Sequence, residues 1–319
     1  IYCTSRDSRV VLHYPMAHAG EKIIVNTPII NTQRVSVLIS AYKHERYIEA
    51  CVRSVLEQTY DNIELIVLDD GSPDNTASVL EKLQAEADAS GKPFKFIAKQ
   101  NSGLSDTLNQ ALAMATGKYI CQFGSDDIML PDKTAKQVAF MEANPDVAVC
   151  GGNALNIDSD GVVITKRQKF PPQREITFEH LFANTGPGIV ASTCMIRKDV
   201  LDREGGWNPA IPLEDMYMWF KLTSRGYRMV GLDEVLMHYR KHASNSYKNV
   251  RYMYESMMKT IADYREHPLY PQVHLNLLRG YFLTAAKHDK KLAKEILADI
   301  PFSAFNKKVW RGLLHLLKP

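Results

Sequence analysis

The sequence predicts an α/β fold in which a mostly parallel, mixed sheet is flanked by helices and followed by a helical C-terminal extension. Short apolar runs alternate with helical patterns from residue 34 to residue 141, and this order requires crossover connections between parallel strands. Two of the apolar runs, Ile63–Leu68 and Tyr119–Phe123, are followed at once or after two residues by paired aspartates. Ligands of open α/β sheets bind outside the carboxyl ends of the strands, so the two pairs predict one binding site.

The alternation can be assigned element by element. Strand-like apolar runs occur at 35–40, 63–68, 94–98 and 119–123. Apolar residues recur at helical spacing at 45–58, 77–87, 102–115 and 131–141. Beyond Val147 the pattern changes, and runs at 147–150, 162–165 and 191–197 predict mixed or antiparallel strands. From about Val250 onward the pattern is helical.

Three regions follow from this reading. We expect a lead-in or linker over residues 1–33, a sheet-containing domain over 34–248 and a C-terminal helical extension over 249–319. The lead-in has weak periodicity and is interrupted by prolines and a glycine. Because the first residue is Ile and not Met, we also expect the chain to be a segment of a longer polypeptide.

Composition and charge exclude several classes of protein. With 45% hydrophobic and 24% charged residues the chain is not of a disordered type, and a net charge of +3 without a basic stretch containing aromatic residues gives no reason to expect nucleic-acid binding. The five cysteines are scattered singly, which predicts reduced thiols in a cytoplasmic protein and neither a zinc site nor a disulfide framework. No apolar run is long enough to predict a membrane span.

The paired aspartates predict a nucleotide diphosphate held through a metal ion. Adjacent carboxylates after a buried strand repel each other unless a cation is bound. Mg²⁺ or Mn²⁺ prefers oxygen ligands and would neutralise the diphosphate. The alternative is that each pair only caps a solvated turn.

Seven short segments together resemble the family 2 inverting glycosyltransferases of GT-A fold. They are Val35–Tyr42, Ser54–Thr59, Leu68–Asp74, Asn101–Leu104, Gly117–Tyr119, Ser125–Asp127 and Leu213–Asp215. Each segment alone is weak evidence, but their order and spacing are specific, and the resemblance covers roughly residues 34–245. It implies a GT-A fold and the transfer of one sugar from a nucleotide-sugar donor to an acceptor.

The resemblance implies that residues at the ends of the first two strands bind the nucleotide base. Asp70 looks like the aspartate that accepts a hydrogen bond from the ring N–H of uracil or thymine, because an ionised carboxylate is only an acceptor. Ser40 and Tyr42 are expected to complete the base pocket, although a tyrosine at this position is as often packing.

Ser125-Asp126-Asp127 stands where the family carries its metal-binding acidic motif. Asp126 is expected to hold the ribose hydroxyls, and Asp127 to bind Mn²⁺ or Mg²⁺. Gly124 replaces the first acid of the longer four-residue version of this motif. That replacement leaves open a catalytically inactive relative that only binds a nucleotide sugar or acts as a scaffold.

Glu214 and Asp215 resemble the catalytic-base segment at the start of a helix. Asp215 is the expected general base, which removes the proton of the acceptor hydroxyl as it attacks the anomeric carbon. Glu214 is assigned to the nucleotide-sugar site, with the alternative that it only stabilises the helix N-terminus.

Three further residues are assigned through the resemblance. His242 is the candidate second metal ligand, and Arg240 is a candidate contact to the diphosphate. Trp207, after Gly205-Gly206, is a candidate for stacking on the sugar, with packing as the alternative.

The partners are therefore predicted as a UDP- or dTDP-sugar donor and a saccharide acceptor, which could be lipid-linked, in bacterial surface polysaccharide assembly. Residues 305–318 have the composition of a membrane-surface helix, with apolar side chains flanked by lysines and an arginine. Such a helix would place the protein peripherally at the inner face of the plasma membrane. The alternative is that it docks on the catalytic domain or on a sister subunit.

Overall fold

The predicted alternation of strands and helices is present in the structure, a computed structural model that describes residues 33–317 except 90, 92, 165–167 and 244. Apart from Gln33, the predicted lead-in over 1–33 lies outside the described residues. The elements up to residue 143 are β1 Val35–Ala41, α1 Ile48–Leu56, β2 Ile63–Asp69, α2 Thr76–Ala89, β3 Phe94–Ala98, α3 Leu104–Met114, β4 Tyr119–Gly124, β5 Ile128–Met129 and α4 Lys133–Ala143.

The second half of the chain completes the sheet and adds seven α-helices among the described residues. Its elements are β6 Val147–Ile157, β7 Arg174–Glu175, α5 Phe178–Phe182, β8 Met195–Arg197, α6 Lys198–Glu204, α7 Glu214–Ser224, β9 Arg228–Arg240, α8 Val250–Ile261, α9 Tyr270–His288, α10 Lys290–Ala298 and α11 Lys307–Leu316. None of the described helices is long and apolar enough to cross a membrane.

The strands form one mixed sheet in the order β3-β2-β1-β4-β8-β6-β9-β5, with β7 paired to β9. Strands β1 to β4 are parallel, whereas β8 runs antiparallel to both β4 and β6. The predicted mostly parallel, mixed sheet is therefore confirmed. Helices cover both faces of its central strands, and this is why β1 and β2 are buried almost along their whole length.

Two of the predicted strands are shorter than expected. Val163 makes only an isolated bridge to Ile157, so the run predicted over 162–165 is not a strand in the part that the structure describes. The run predicted over 191–197 begins as a 3-10 turn, Ala191–Thr193, and only its last three residues form β8. Gln137 on α4 donates a hydrogen bond to the backbone carbonyl of Thr193 in this turn. This carbonyl is therefore satisfied without a neighbouring strand.

The position of β1 between β2 and β4 determines where the acidic pairs lie. Ala41 pairs with Asp69 on one side, and Ser40 pairs with Gly124 on the other. The chain leaves both neighbouring strands at the same edge of the sheet, so the two pairs flank the end of β1.

The C-terminal helices share a core with the sheet-containing domain over residues 34–248. Phe178, Phe182 and Phe220 pack in one cluster with Ile261 of α8 and Val273 of α9. The boundary predicted between residues 248 and 249 lies between a 3-10 turn and the start of α8. Apolar side chains from both sides of this boundary are buried in the same cluster.

Candidate active site

An open cleft of about 640 Å³ lies at the carboxyl edge of the central strands. Eight of the ten residues singled out from the sequence line it: Ser40, Tyr42, Asp70, Asp126, Asp127, Glu214, Asp215 and His242. They come from β1, from the turns after β2 and β4, from the start of α7 and from the segment after β9. The fold thus brings together residues that are up to about 200 positions apart in the chain.

Asp70 is held as an anion at one end of this cleft. It accepts hydrogen bonds from the backbone N–H groups of Ser102 at 2.9 Å and Gly103 at 3.0 Å, and it forms an ion pair with Lys99. Burial alone would raise the pKa of Asp70, but the hydrogen bonds from Lys99 and Ser102 outweigh it and hold the pKa below its ordinary value. The carboxylate is therefore ionised and acceptor-only near neutral pH, as a reader of a ring N–H must be.

The second acidic pair lies on the other side of β1. Asp127 is almost completely buried, and its Oδ1 accepts a hydrogen bond from the Arg240 backbone N–H at 3.0 Å. Burial, followed by the charge of Asp126, raises the pKa of Asp127 well above its ordinary value. No lysine or arginine among the described residues forms an ion pair with Asp127, so a bound cation would be the natural counter-charge.

Two histidines converge on Asp126. His242 Nε2 lies 2.7 Å from Asp126 Oδ2, and His44 Nδ1 lies 2.7 Å from the Ser125 hydroxyl. One ligand atom from each of His44, Asp126 and His242 falls within 4.8 Å of the others. Burial lowers the pKa of His44, which favours the neutral imidazole that can coordinate a metal.

Glu214 and Asp215 open α7 at the far wall of the cleft. Gln122 on β4 donates to Glu214 Oε1 at 2.8 Å, and Asp215 accepts from the Met216 backbone N–H at 2.6 Å. Burial and then the neighbouring Asp215 raise the pKa of Glu214 to about 8, and burial raises the pKa of Asp215. A carboxylate with a raised pKa is a stronger base, so Asp215 has the chemistry that deprotonation of a hydroxyl requires.

Two predicted residues lie outside the cleft. The Trp207 side chain is only 2% exposed and packs in the core beside α3, with Asn109 holding its backbone N–H and carbonyl. The Arg240 guanidinium donates to the backbone carbonyls of Asp126, Asp158 and Ser159. The indole presents no face to a sugar in this arrangement, and the guanidinium is used in holding the acidic turn.

The cleft also contains residues to which the sequence reading assigned no role. His44, Asn101, Gln122, Tyr239 and Asn245 all line it. His44 follows the first strand, so its position at a strand end was the one available signal. Gln122 and Asn245 had no signal, because a single amide is common in any strand or loop and only the fold places these two beside the acids.

The part of the chain that carries the strand-end acids matches a known protein family. Residues 36–205, more than half of the chain, match a family model described as glycosyl transferase family 2. The chain belongs to this family. The match covers both strand-end acid pairs, whereas Glu214, Asp215 and His242 lie beyond it.

Two curated relatives of this family 2 glycosyltransferase are bacterial. It is 28% identical over 305 residues to an uncharacterized glycosyltransferase of Haemophilus influenzae, covering 90% of this chain and 91% of the relative. It is 32% identical over 217 residues to WfaP of Escherichia coli, covering 66% of this chain and 78% of the relative. WfaP is described as a UDP-Glc:alpha-D-GlcNAc-diphosphoundecaprenol beta-1,3-glucosyltransferase.

Two solved structures show that the family 2 glycosyltransferase has a GT-A fold. TarS of S. aureus in complex with UDP-GlcNAc superposes with a TM-score of 0.62 at 18% identity, covering 85% of this chain and 82% of that chain. The mannosyltransferase PcManGT of Pyrobaculum calidifontis, in complex with GDP-Man and Mn²⁺, superposes with a TM-score of 0.59 at 19% identity, covering 89% and 85%.

Proposed function

We propose that this protein is a metal-dependent inverting glycosyltransferase that moves one sugar from a UDP- or dTDP-sugar to a saccharide acceptor in bacterial surface polysaccharide assembly. The observation that carries the proposal is that Asp70, Asp126, Asp127 and Asp215 line a single cleft. Such a transfer requires a group that recognises the nucleotide base, a site for a cation and a general base for the acceptor hydroxyl. The cleft offers one acid or acid pair for each of these roles.

The donor is expected to lie across the end of β1. Asp70, with Ser40 and Tyr42 beside it, receives the pyrimidine ring, and Asp126 receives the ribose hydroxyls. The ionised state of Asp70 favours a base that carries a ring N–H, as uracil and thymine do.

The residues after β4 fit a divalent cation. The Asp126 carboxylate and the imidazoles of His44 and His242 converge there. Asp127 is the next residue after Asp126, and no lysine or arginine among the described residues forms an ion pair with it. Asp127 and His242 would hold Mn²⁺ or Mg²⁺, with Asp126 and His44 adjacent to them. The ion would neutralise the charge of the donor diphosphate.

Asp215 is the proposed base of the transfer. It accepts the proton of the acceptor hydroxyl while that oxygen forms its bond to the anomeric carbon. The bond between the anomeric carbon and the diphosphate oxygen breaks at the same time, and its electron pair leaves with the nucleoside diphosphate. Attack from the side opposite the leaving group inverts the anomeric centre.

Nucleotide release from UDP-, dTDP-, GDP- and CMP-sugars, with and without Mn²⁺, tests the proposal. We expect release from one UDP- or dTDP-sugar, with a loss of about 10²–10⁴-fold in Asp215→Asn and of comparable size in Asp127→Ala. Asp199→Asn, at an exposed position on α6, is the matched control. Mn²⁺-dependent binding without release from any donor supports the inactive relative instead, and failure of all four donors to bind contradicts both readings.

The saccharide acceptor is expected to be lipid-linked. WfaP, whose acceptor is a diphosphoundecaprenol-linked sugar, is 32% identical to this chain. In α11, Val309 and Gly312 are buried against Phe282 of α9. The helix therefore docks on its own protein, which was one of the two alternatives stated from the sequence. Its other side leaves Trp310, Leu314 and Leu317 exposed.

That exposed side is the basis for a proposed peripheral contact with a membrane. Lys307 and Arg311 are exposed beside the three apolar side chains. Residues 249–319 contain 12 Lys and Arg against 6 Asp and Glu, whereas residues 33–248 contain 24 against 28. An anionic lipid surface complements both the apolar and the basic part of this face.

A further inference from the structure

A second concave surface lies between the catalytic region and the C-terminal helices. It is an open groove of about 430 Å³ whose walls come from α5, α7, α8, α9 and α11. Phe182 and Phe220 form its floor as members of the aromatic cluster, and Met216, Met257 and Leu277 are partly buried around that cluster. The groove does not share a lining residue with the catalytic cleft.

The chemistry of this groove is that of a hydrocarbon site with one cation. Ten of the fourteen lining residues are apolar, aromatic or glycine, and none is acidic. Lys308 is the one charged residue of the lining, and the described residues include no acid paired with it. A long apolar chain that carries an anionic group matches this combination of surfaces.

Two short segments connect the groove to the cleft. At the start of α7, Asp215 lines the cleft and Met216, the next residue, lines the groove. In the loop after α5, Asn184 lines the groove and Ile189 lines the cleft. A molecule in the groove therefore lies directly behind the proposed general base.

We propose that this groove binds the hydrocarbon chain of a phosphate-linked lipid, namely the lipid that carries the acceptor saccharide. This inference rests on the proposed function for the identity of the acceptor, but the binding of the chain can be measured without any transfer. Chain binding in the groove would hold the acceptor saccharide near Asp215, and Lys308 would pair with a phosphate of the same lipid.

Gly280 on α9 allows a clean test because a side chain added there points into open space. A Cβ at this position meets no atom within 4 Å, and Gly280 lines the groove. In Gly280→Leu the new side chain should occupy the groove, and leucine is also a better helix former than glycine. Gln272→Leu adds the same side chain at an exposed position of the same helix outside the groove.

The experiment is calorimetric titration of the full protein with hexadecyl phosphate, below its micelle concentration, and with methyl phosphate. We expect saturable binding of hexadecyl phosphate that is at least about tenfold weaker in Gly280→Leu and unchanged in Gln272→Leu, because burial of only a few methylenes corresponds to such a factor. Methyl phosphate should not bind detectably. Thr284→Leu, one turn further along the same groove wall, replaces Gly280→Leu if that variant does not fold.

Either of two results would overturn the inference: no saturable binding of hexadecyl phosphate, or binding of equal strength in the wild type and in Gly280→Leu. Nucleotide release from the donor panel, measured on the same protein samples, reports on the proposed function separately. Release without chain binding would reject the groove alone, whereas chain binding without release would keep the groove and count against the proposed transfer.

Discussion

The residue that departs from the expected acidic motif, Gly124, is explained by the position of Asp127. A Cβ at position 124 would lie 2.7 Å from Asp127 Oδ2, 3.1 Å from the Ser192 hydroxyl and 3.2 Å from Asp126 Oδ1. Real side chains do not approach a Cβ as closely as 2.7 Å, so an acid at this position would require Asp127 to move. The glycine therefore fits the two remaining acids, and its presence is not in itself a sign of an inactive protein.

Gly124→Ala should displace the Asp127 carboxylate by a fraction of an ångström or more. We expect kcat/KM to fall by about a hundredfold, since small misplacements of positioning groups have effects of that size, and a higher Mn²⁺ concentration to be needed for half-maximal activity. Steady-state kinetics over a range of Mn²⁺ concentrations measure both. Gly186→Ala is the control, because a Cβ there meets nothing within 4 Å. Wild-type kinetics in Gly124→Ala would contradict the explanation.

Glu214 predicts how stability depends on pH. Since burial and Asp215 raise its pKa to about 8, the folded state favours the protonated carboxyl. The corresponding stability is fully present below the ordinary pKa of 4.5 and is lost as the pH rises through about 8. Glu214→Gln keeps an acceptor for Gln122 and cannot ionise. We expect its Tm to fall less than that of the wild type between about pH 4.5 and pH 8.

Thermal unfolding at a series of pH values, followed by circular dichroism, measures this difference. Glu81→Gln, at an exposed position of α2, should give a curve parallel to that of the wild type. A Glu214→Gln curve that also runs parallel to the wild type would mean that Glu214 is ionised in the folded protein at neutral pH.

At the scale of single elements, the strand ends were predictable and the side-chain directions were not. The acid pairs could be located because the alternation of strands and helices fixes which strand ends share an edge of the sheet. Trp207 follows two glycines with positive φ, at 75° and 67°, and the turn they make directs the indole into the core. The sequence alone does not show whether the indole points into the core or into the cleft.

The predicted helix at the C-terminus shows the same limit. Apolar spacing identified an amphipathic helix but could not say that Val309 and Gly312 would meet α9 while Trp310 would not, since all three lie within one turn. Arg240 is a comparable case, because the carbonyls that occupy its guanidinium belong to turns far away in sequence.

The exposed face of α11 leads to a prediction about lipid binding. We expect the protein to cosediment with vesicles of phosphatidylglycerol and phosphatidylcholine and to be released as the salt concentration rises, because the basic part of the attraction is screened. Replacing Trp310, Leu314 and Leu317 together by serine should reduce the bound fraction by about tenfold or more, since three apolar side chains no longer enter the interface.

Serine at Val162 and Ile164, two exposed apolar residues of the catalytic region, provides the matched control and should leave vesicle binding unchanged. If the triple replacement on α11 binds vesicles as the wild type does, another surface meets the lipid, or the affinity for vesicles is due to charge alone.

At the scale of the whole molecule, the C-terminal helices are part of the catalytic region's core. Ending the chain at Lys248 would uncover Phe178, Phe182 and Phe220. Burial of one such side chain contributes about 1.5–3 kcal/mol, so three of them amount to roughly 5–9 kcal/mol, which is comparable to the whole stability of a typical domain. We expect the shortened chain to bind a hydrophobic dye and to unfold without a cooperative transition.

A chain that ends at Ala298 is the milder comparison, because it lacks α11 but keeps Ile261 and Val273 over the aromatic cluster. It should unfold cooperatively with a lower Tm. Cooperative unfolding of the chain that ends at Lys248, with a Tm near that of the full protein, would show that the catalytic region folds independently of the helices.

The placement of β1 between β2 and β4 also fixes the distance between the two acid pairs. The two acid pairs emerge from strands that are two inter-strand spacings apart, about 10 Å, and β1, which is buried almost along its whole length, lies between them. A free base at Asp70 would be too short to reach the second pair, whereas a base that carries its ribose and diphosphate would reach both. Under the proposed function the sheet would therefore act as a ruler, which selects the donor by how far it extends.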